Sequence, residues 1–165
     1  MLFFFLETFA HLNQLKGLRL DNNNLIDLNG IFASLTNLKW LNVSSNNLEW
    51  FDYAFIPRSV EWLDLSHNEI SELGNYYHQQ DFNLHTLDAT FNKITSLDDL
   101  ALPAKRLQVV RLQHNNISRV EAHTFAELAY LNLVDLRHNL LNNLAKQSLR
   151  QAIQGMELTE LKLNE

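Results

Sequence analysis

The sequence predicts an α/β solenoid, a curved coil with a parallel sheet on its concave face and irregular or short helical segments returning along the outside. Three observations predict it. Of 165 residues, 33 are Leu and 20 are Asn, far above ordinary usage. These residues recur in one frame at intervals of 22 to 27, and such self-similarity marks a repeat architecture. A hydrophobic fraction of 46% with only 4 Gly and 2 Pro excludes collagen-like, linker-like or disordered character.

Leu15, Leu18, Leu20, Asn23 and Leu25 set the frame L-x-x-L-x-L-x-x-N-x-L. It returns as Leu38, Leu41, Val43, Asn46, Leu48, then as Val60, Leu63, Leu65, Asn68, Ile70, and then as Leu84, Leu87, Ala89, Asn92, Ile94. Leu107, Val110, Leu112, Asn115, Ile117 and Leu131, Val134, Leu136, Asn139, Leu141 follow, and a seventh copy opens at Leu158, Leu161, Leu163. This is a leucine-rich-repeat pattern. In a strand, side chains alternate between faces, so the first, fourth and sixth positions point into the coil and those between them point out. The ninth-position Asn turns the chain inward and can bond backbone groups left unpaired there, so repetition predicts an asparagine ladder.

On the return paths, Phe9, Phe32, Phe55 and Phe125 recur at a similar distance before the next strand and predict a buried aromatic stack. Tyr77 and Phe82 replace the single Phe in the third return path, and Leu100, Leu102 and Pro103 replace it in the fourth. The sixth is lengthened through Leu149, Ile153 and Gly155, where AKQSLRQAIQ can hold a helical turn or two. The whole of 1–165 therefore reads as one array, with about six full repeats and partial repeats at both ends. No cysteine-rich cap is present, so a longer array is expected. Phe3, Phe4 and Phe5 would be an exposed apolar liability if the chain stood alone.

Thirteen Lys and Arg against 19 Asp and Glu leave a net charge of −6 with no basic stripe, which argues against a nucleic acid partner. Without cysteine there is no disulfide framework, thiolate metal site or cysteine nucleophile. The longest uninterrupted apolar run, residues 1–6, is too short to span a membrane and lacks the form of a signal peptide. The chain is expected to be soluble, with any secretion signal outside it. No H-E-x-x-H, phosphate-cradling Gly loop or nucleophile elbow occurs. The expectation is a binding protein without enzymatic activity, cofactor or metal.

Outward strand positions form rows across the concave face, where function is expected. At the third position Trp40 and Trp62 fall on adjacent strands, and Trp is enriched among residues that dominate binding energy. Phe91, at the eighth position, extends that patch. The fifth-position row runs Arg19, Asn42, Asp64, Asp88, Arg111, Asp135, Lys162, and Asp88, Arg111 and Asp135 lie close enough to pair laterally. That row reads either as an exposed ion ladder or as a mostly acidic surface for a basic partner. His67, His114 and His138 share the eighth position; they read as solvated, since no third ligand accompanies them for a metal. The partner-binding residues are expected to be Trp40, Trp62, Asp64, His67, Asp88, Phe91 and Arg111. N-glycosylation sequons stand at Asn42-Val43-Ser44 and Asn116-Ile117-Ser118. A glycan on Asn42 would screen the aromatic patch, so those two expectations compete.

The stretch IFASLTNLKWLNVSSNNLEWFDYAFIPRSVEWLDLSHNEISELGN, residues 31–75, and FNLHTLDATFNKI, residues 82–94, resemble the ectodomain of arthropod Toll-type receptors. Residues 108–144 keep that look more loosely, and ELTELKLNE resembles the entry to the family's cysteine-rich C-terminal flank, although the cysteines do not follow. The resemblance implies an extracellular, glycosylated recognition module of a membrane-anchored innate immune or developmental receptor. The implied partner is a protein ligand, such as a Spätzle-type cystine-knot cytokine, or another receptor chain, including a homodimer. A soluble leucine-rich-repeat adaptor or secreted immune protein without membrane signalling is the alternative.

Overall fold

The computed structural model describes residues 8–74, 82–98, 101–121 and 123–164. Phe3, Phe4, Phe5, Tyr77 and Leu100 lie outside the described residues. In chain order the elements are β1 (Gly17–Arg19), β2 (Trp40–Asn42), β3 (Phe51–Asp52), β4 (Trp62–Asp64), β5 (Leu73–Gly74), β6 (Thr86–Asp88), β7 (Ser96–Leu97), β8 (Val109–Arg111), β9 (Arg119–Val120), β10 (Leu133–Asp135), α1 (Asn143–Ala152) and β11 (Glu160–Lys162). One strand from each repeat enters a parallel sheet in the order β1-β2-β4-β6-β8-β10-β11. The register never slips: Leu41 pairs with Leu63, Leu63 with Leu87 and Leu87 with Val110. Each repeat is thus stacked on the next at the same sequence position, as the period requires.

The inward positions form the core. Leu41, Val43, Leu63, Leu65, Leu87, Ala89, Val110 and Leu112 are fully buried. Four of the seven strands, β2, β4, β6 and β10, stop after three residues for a local reason. Asn42, Asp64, Asp88 and Asp135, at the fifth position, each accept a hydrogen bond from the N–H two residues on, at 2.8, 2.9, 3.1 and 3.2 Å. Such a side-chain turn ends the extended run. Among the described residues the eighth position then lies in the left-handed region in all six repeats, with φ of 55° at Asn22, 53° at Ser45, His67 and Phe91, 57° at His114 and 56° at His138.

The asparagine ladder is present as the sequence predicts. The carboxamide oxygens of Asn46, Asn68, Asn92, Asn115 and Asn139 accept from the backbone N–H of Leu25, Leu48, Ile70, Ile94 and Ile117 in the preceding repeat. Each Nδ2 donates to carbonyls of both repeats, as Asn92 does to Leu65 O at 3.0 Å and Ala89 O at 3.3 Å. One side chain therefore satisfies backbone groups that the turn strips from both strands.

The outer side departs from the expected Phe stack. Phe9 and Phe32 stack at 5.9 Å, and Phe32 and Phe125 are fully buried. Phe55, however, is only partly buried and packs edge-on against Trp50. Its place is taken by Phe51 and Tyr53, buried together at 5.1 Å. The displacement has a physical cause: Asp52 caps a 3₁₀ turn over Tyr53–Phe55 by accepting from Ala54 N–H, which turns Tyr53 inward. The Tyr53 hydroxyl donates to Ala101 O at 2.8 Å, tying two return paths together, and burial pushes its acidity well below that of an ordinary phenol. Two-residue ladders, β3 with β5 and β7 with β9, add a second line of pairing outside. The lengthened sixth return path is a ten-residue helix, α1, capped by Asn142 and anchored by the buried Leu149. Among the described residues no helix is long and apolar enough to cross a membrane.

Candidate functional site on the inner face

The register brings the third-position side chains into one line: Gly17, Trp40, Trp62, Thr86, Val109, Leu133 and Glu160. Trp40 and Trp62 stack face to face, with ring centroids 5.0 Å apart and planes 11° from parallel. Gly17 ends the row beside Trp40, where an added Cβ would make only ordinary contact at 3.6 Å. Both indoles are only partly exposed. They lie against each other as a two-ring plate rather than standing free in solvent.

A second aromatic line runs along the edge where the strands end. His67, Phe91, His114 and His138 form an unbroken stack, with centroid spacings of 4.5, 4.2 and 4.2 Å and planes within 13° of parallel. This column joins two expected contact residues, His67 and Phe91, to two His that the sequence had placed in the same row as solvated side chains. The recurrence of His there has a backbone reason. The position is left-handed, and His and Asn tolerate that conformation better than most residues. Ser45 and Phe91 depart from this, and Phe91 is a bulky ring held at φ 53° and 45% exposed. Stacked imidazoles aim their in-plane lone pairs side by side rather than at a common point, so the column is poorly arranged to chelate a metal. Among the described residues no group of three or more His, Asp or Glu could hold a metal ion.

Between the two aromatic lines runs the fifth-position row. The expected lateral pairing of Asp88, Arg111 and Asp135 does not form. No ion pair within 4 Å joins them; Asp135 instead binds Arg137 of its own repeat at 2.6 Å. The cause is the turn geometry: each fifth-position acid is already drawn toward the N–H two residues on. That bond aims Asp135 along its own strand, where Arg137 follows, and not across the sheet. The other inner-face pairs are Arg19–Asp21, Lys39–Glu61 and Lys162–Glu160. Among the described residues, Asp64 and Asp88, in register on adjacent strands, have no ion-pair partner. Hydrogen bonding from Arg19 holds Asp21 down to about 2. Although burial opposes it, hydrogen bonding from Arg137 holds Asp135 below the ordinary carboxylate range.

Asp88 behaves oppositely. Burial raises its pKa, and the negative charge of Asp64 adds to that, against the pull of Thr90 and Arg111. A carboxyl raised on folding favours the folded state below its unfolded pKa and loses that contribution as pH rises through the folded value. Asp88→Asn is therefore expected to raise the urea midpoint at pH 7 and to have no such effect near pH 3. Asn42 shows that an Asn can make the same turn. A lower midpoint at pH 7 would contradict the assignment.

The sequons differ. Asn116 is exposed just beyond its strand, whereas Asn42 is partly buried on the inner face and accepts from Ser44 N–H at 2.8 Å.

Comparison with known proteins agrees with this architecture. The family model described as "Leucine rich repeat" matches residues 82–141 and 105–165. The chain is 44% identical over 133 residues to Toll-like receptor 7 of Drosophila melanogaster; the match covers 80% of this chain and 9% of that protein. Among solved structures, a TLR13–ssRNA13 complex matches 96% of this chain and 26% of the receptor chain, with a TM-score of 0.64 and 31% identity. The leucine-rich-repeat domain of APL1B matches 96% of this chain and 45% of its own, with a TM-score of 0.69 and 26% identity. The chain thus spans less than a tenth of the curated receptor and under half of either solved chain. With the repeat model matching half the sequence and the same coil recovered over nearly all of it, the protein belongs to the leucine-rich-repeat family and is related to the Toll-like receptors.

Proposed function

We propose that this array is the extracellular recognition module of a Toll-like innate immune or developmental receptor, binding a protein through its inner face and carrying out no chemistry of its own. The observation that carries the reading is the Trp40–Trp62 plate, set beside the unpaired carboxylates of Asp64 and Asp88. Trp is enriched at the centre of protein interfaces, and charge lies toward their rim. Relatedness to Toll-like receptor 7 supports the receptor context. The partner to test first is a Spätzle-type cystine-knot cytokine, and the next is a second receptor chain. In this reading the parent protein is anchored in the plasma membrane and the repeats face outward.

In the full-length receptor, Trp62→Ala is expected to weaken partner binding by about 1 kcal/mol or more while leaving the far-ultraviolet circular dichroism unchanged. Surface plasmon resonance against the secreted ligand and against the receptor's own ectodomain measures this. Unchanged affinity for both would remove the plate from the interface.

Glycan placement gives a second test. Asn116 is expected to carry an N-glycan and Asn42 to remain bare, because Asn42 is partly buried and its carboxamide is engaged in a turn. Mass mapping of protein secreted from animal cells, before and after enzymatic deglycosylation, distinguishes the two. Glycan at Asn42 would cover the inner face at the second repeat and move the interface elsewhere. A product retained in the cell without glycan would favour the soluble adaptor.

A further inference from the structure

Trp62 has one face against Trp40 and turns the other toward Thr86, its register partner on β6. Thr86 is followed by Val109 on β8. The row therefore steps down from the Trp62 indole to two side chains of nearly equal size, and the notch is the angle at the foot of that step. Asp64 and Asp88, two residues on from Trp62 and Thr86, stand beyond it on the same face, each with one carboxylate oxygen in its own turn. The nearby cations are committed elsewhere: Lys39 to Glu61 at 2.7 Å and Arg137 to Asp135 at 2.6 Å. Arg111 sits one strand further along without reaching ion-pair distance of either carboxylate.

We infer that this notch receives the guanidinium of an arginine carried by the protein partner, stacked on Trp62 and paired with Asp64 and Asp88. The inference rests on the inner face being the binding face, and it names the chemistry of the contact. An arginine meets all three features at once. Its planar group stacks on an aromatic face, its donor fork matches carboxylates, and it surrenders hydration more readily than an ammonium does. A lysine can satisfy the charge but not the flat wall.

The test uses the chain labelled with ¹⁵N and three small probes: N-acetyl-arginine amide, N-acetyl-lysine amide and N-acetyl-glutamine amide. Arginine is expected to give saturable shifts at the Trp62 indole N–H and the Thr86 amide, with lysine about threefold weaker and glutamine without effect. Asp64→Asn with Asp88→Asn is expected to weaken arginine about tenfold, and the spectrum should stay folded because Asn42 holds the same turn in its own repeat. Thr86→Trp, which fills the notch, should abolish the shifts. Shifts that never saturate, that match those from glutamine, or that persist in the double Asn variant overturn the inference. If the probe fails while Trp62→Ala still weakens the protein partner, the notch is discarded and the binding face stands. If the probe binds while that variant leaves the partner unaffected, the binding face is discarded instead.

Discussion

Asn92→Ala is expected to destabilise the fold by about 2 to 4 kcal/mol, read as a lower urea midpoint. Asn92 is 7% exposed and works on both sides of a repeat boundary. Its oxygen accepts from Ile70 N–H at 2.9 Å, and its Nδ2 donates to the carbonyls of Leu65, Ala89 and Thr90. Truncation leaves a buried N–H and these carbonyls without that partner, and the cost of a stranded buried group exceeds the mean worth of a hydrogen bond. Asn24→Ala is the control. Asn24 is exposed and lies outside the ladder, so its change should stay within about 0.5 kcal/mol. Equal effects from the two variants would show that the ladder contributes nothing particular.

Leu87→Ala should cost a comparable amount, about 2 to 5 kcal/mol. Leu87 is fully buried on β6, the middle strand of seven, with Leu63 on one side and Val110 on the other. In a stack held mainly by contacts between neighbouring repeats, a cavity at the centre weakens two interfaces at once. Leu18→Ala on β1, where the residue is half-buried and has one neighbouring strand among the described residues, should lower the melting temperature markedly less. A similar loss at both sites would mean that stability is not shared between repeats in this nearest-neighbour way.

Much of the architecture was legible because the frame is short and redundant. Leu41, Leu63 and Leu87 stand at one repeat position, so misreading any single one would not have altered the period. The ninth-position Asn was legible for the same reason. The return paths were less so. Phe55 shares its spacing with Phe32, yet Tyr53 holds the interior because Asp52 caps a 3₁₀ turn just before it. The outer ladders of β3 with β5 and β7 with β9 left no pattern at all, since two-residue pairings are too short to show a period.

The candidate site divides in the same way. That Trp40 and Trp62 share a row follows from counting, and so does the shared row of His67, Phe91, His114 and His138. The left-handed eighth position left only a mixed trace in the sequence, one Asn and three His beside Ser45 and Phe91. Counting also suggested a lateral charge ladder through Asp88, Arg111 and Asp135, where instead the turns at Asp88 and Asp135 draw the carboxylates along their own strands.

Period, inward rows and the asparagine ladder were determined by the sequence itself, because they depend only on alternation within a strand and on burial, both properties of single residues in order. Which outward rings stack, which carboxylates stay unpaired and which aromatic enters the core were decided only by the tertiary structure. Those outcomes depend on the spacing between neighbouring strands and on the direction a turn imposes on each side chain, and no single repeat carries that information.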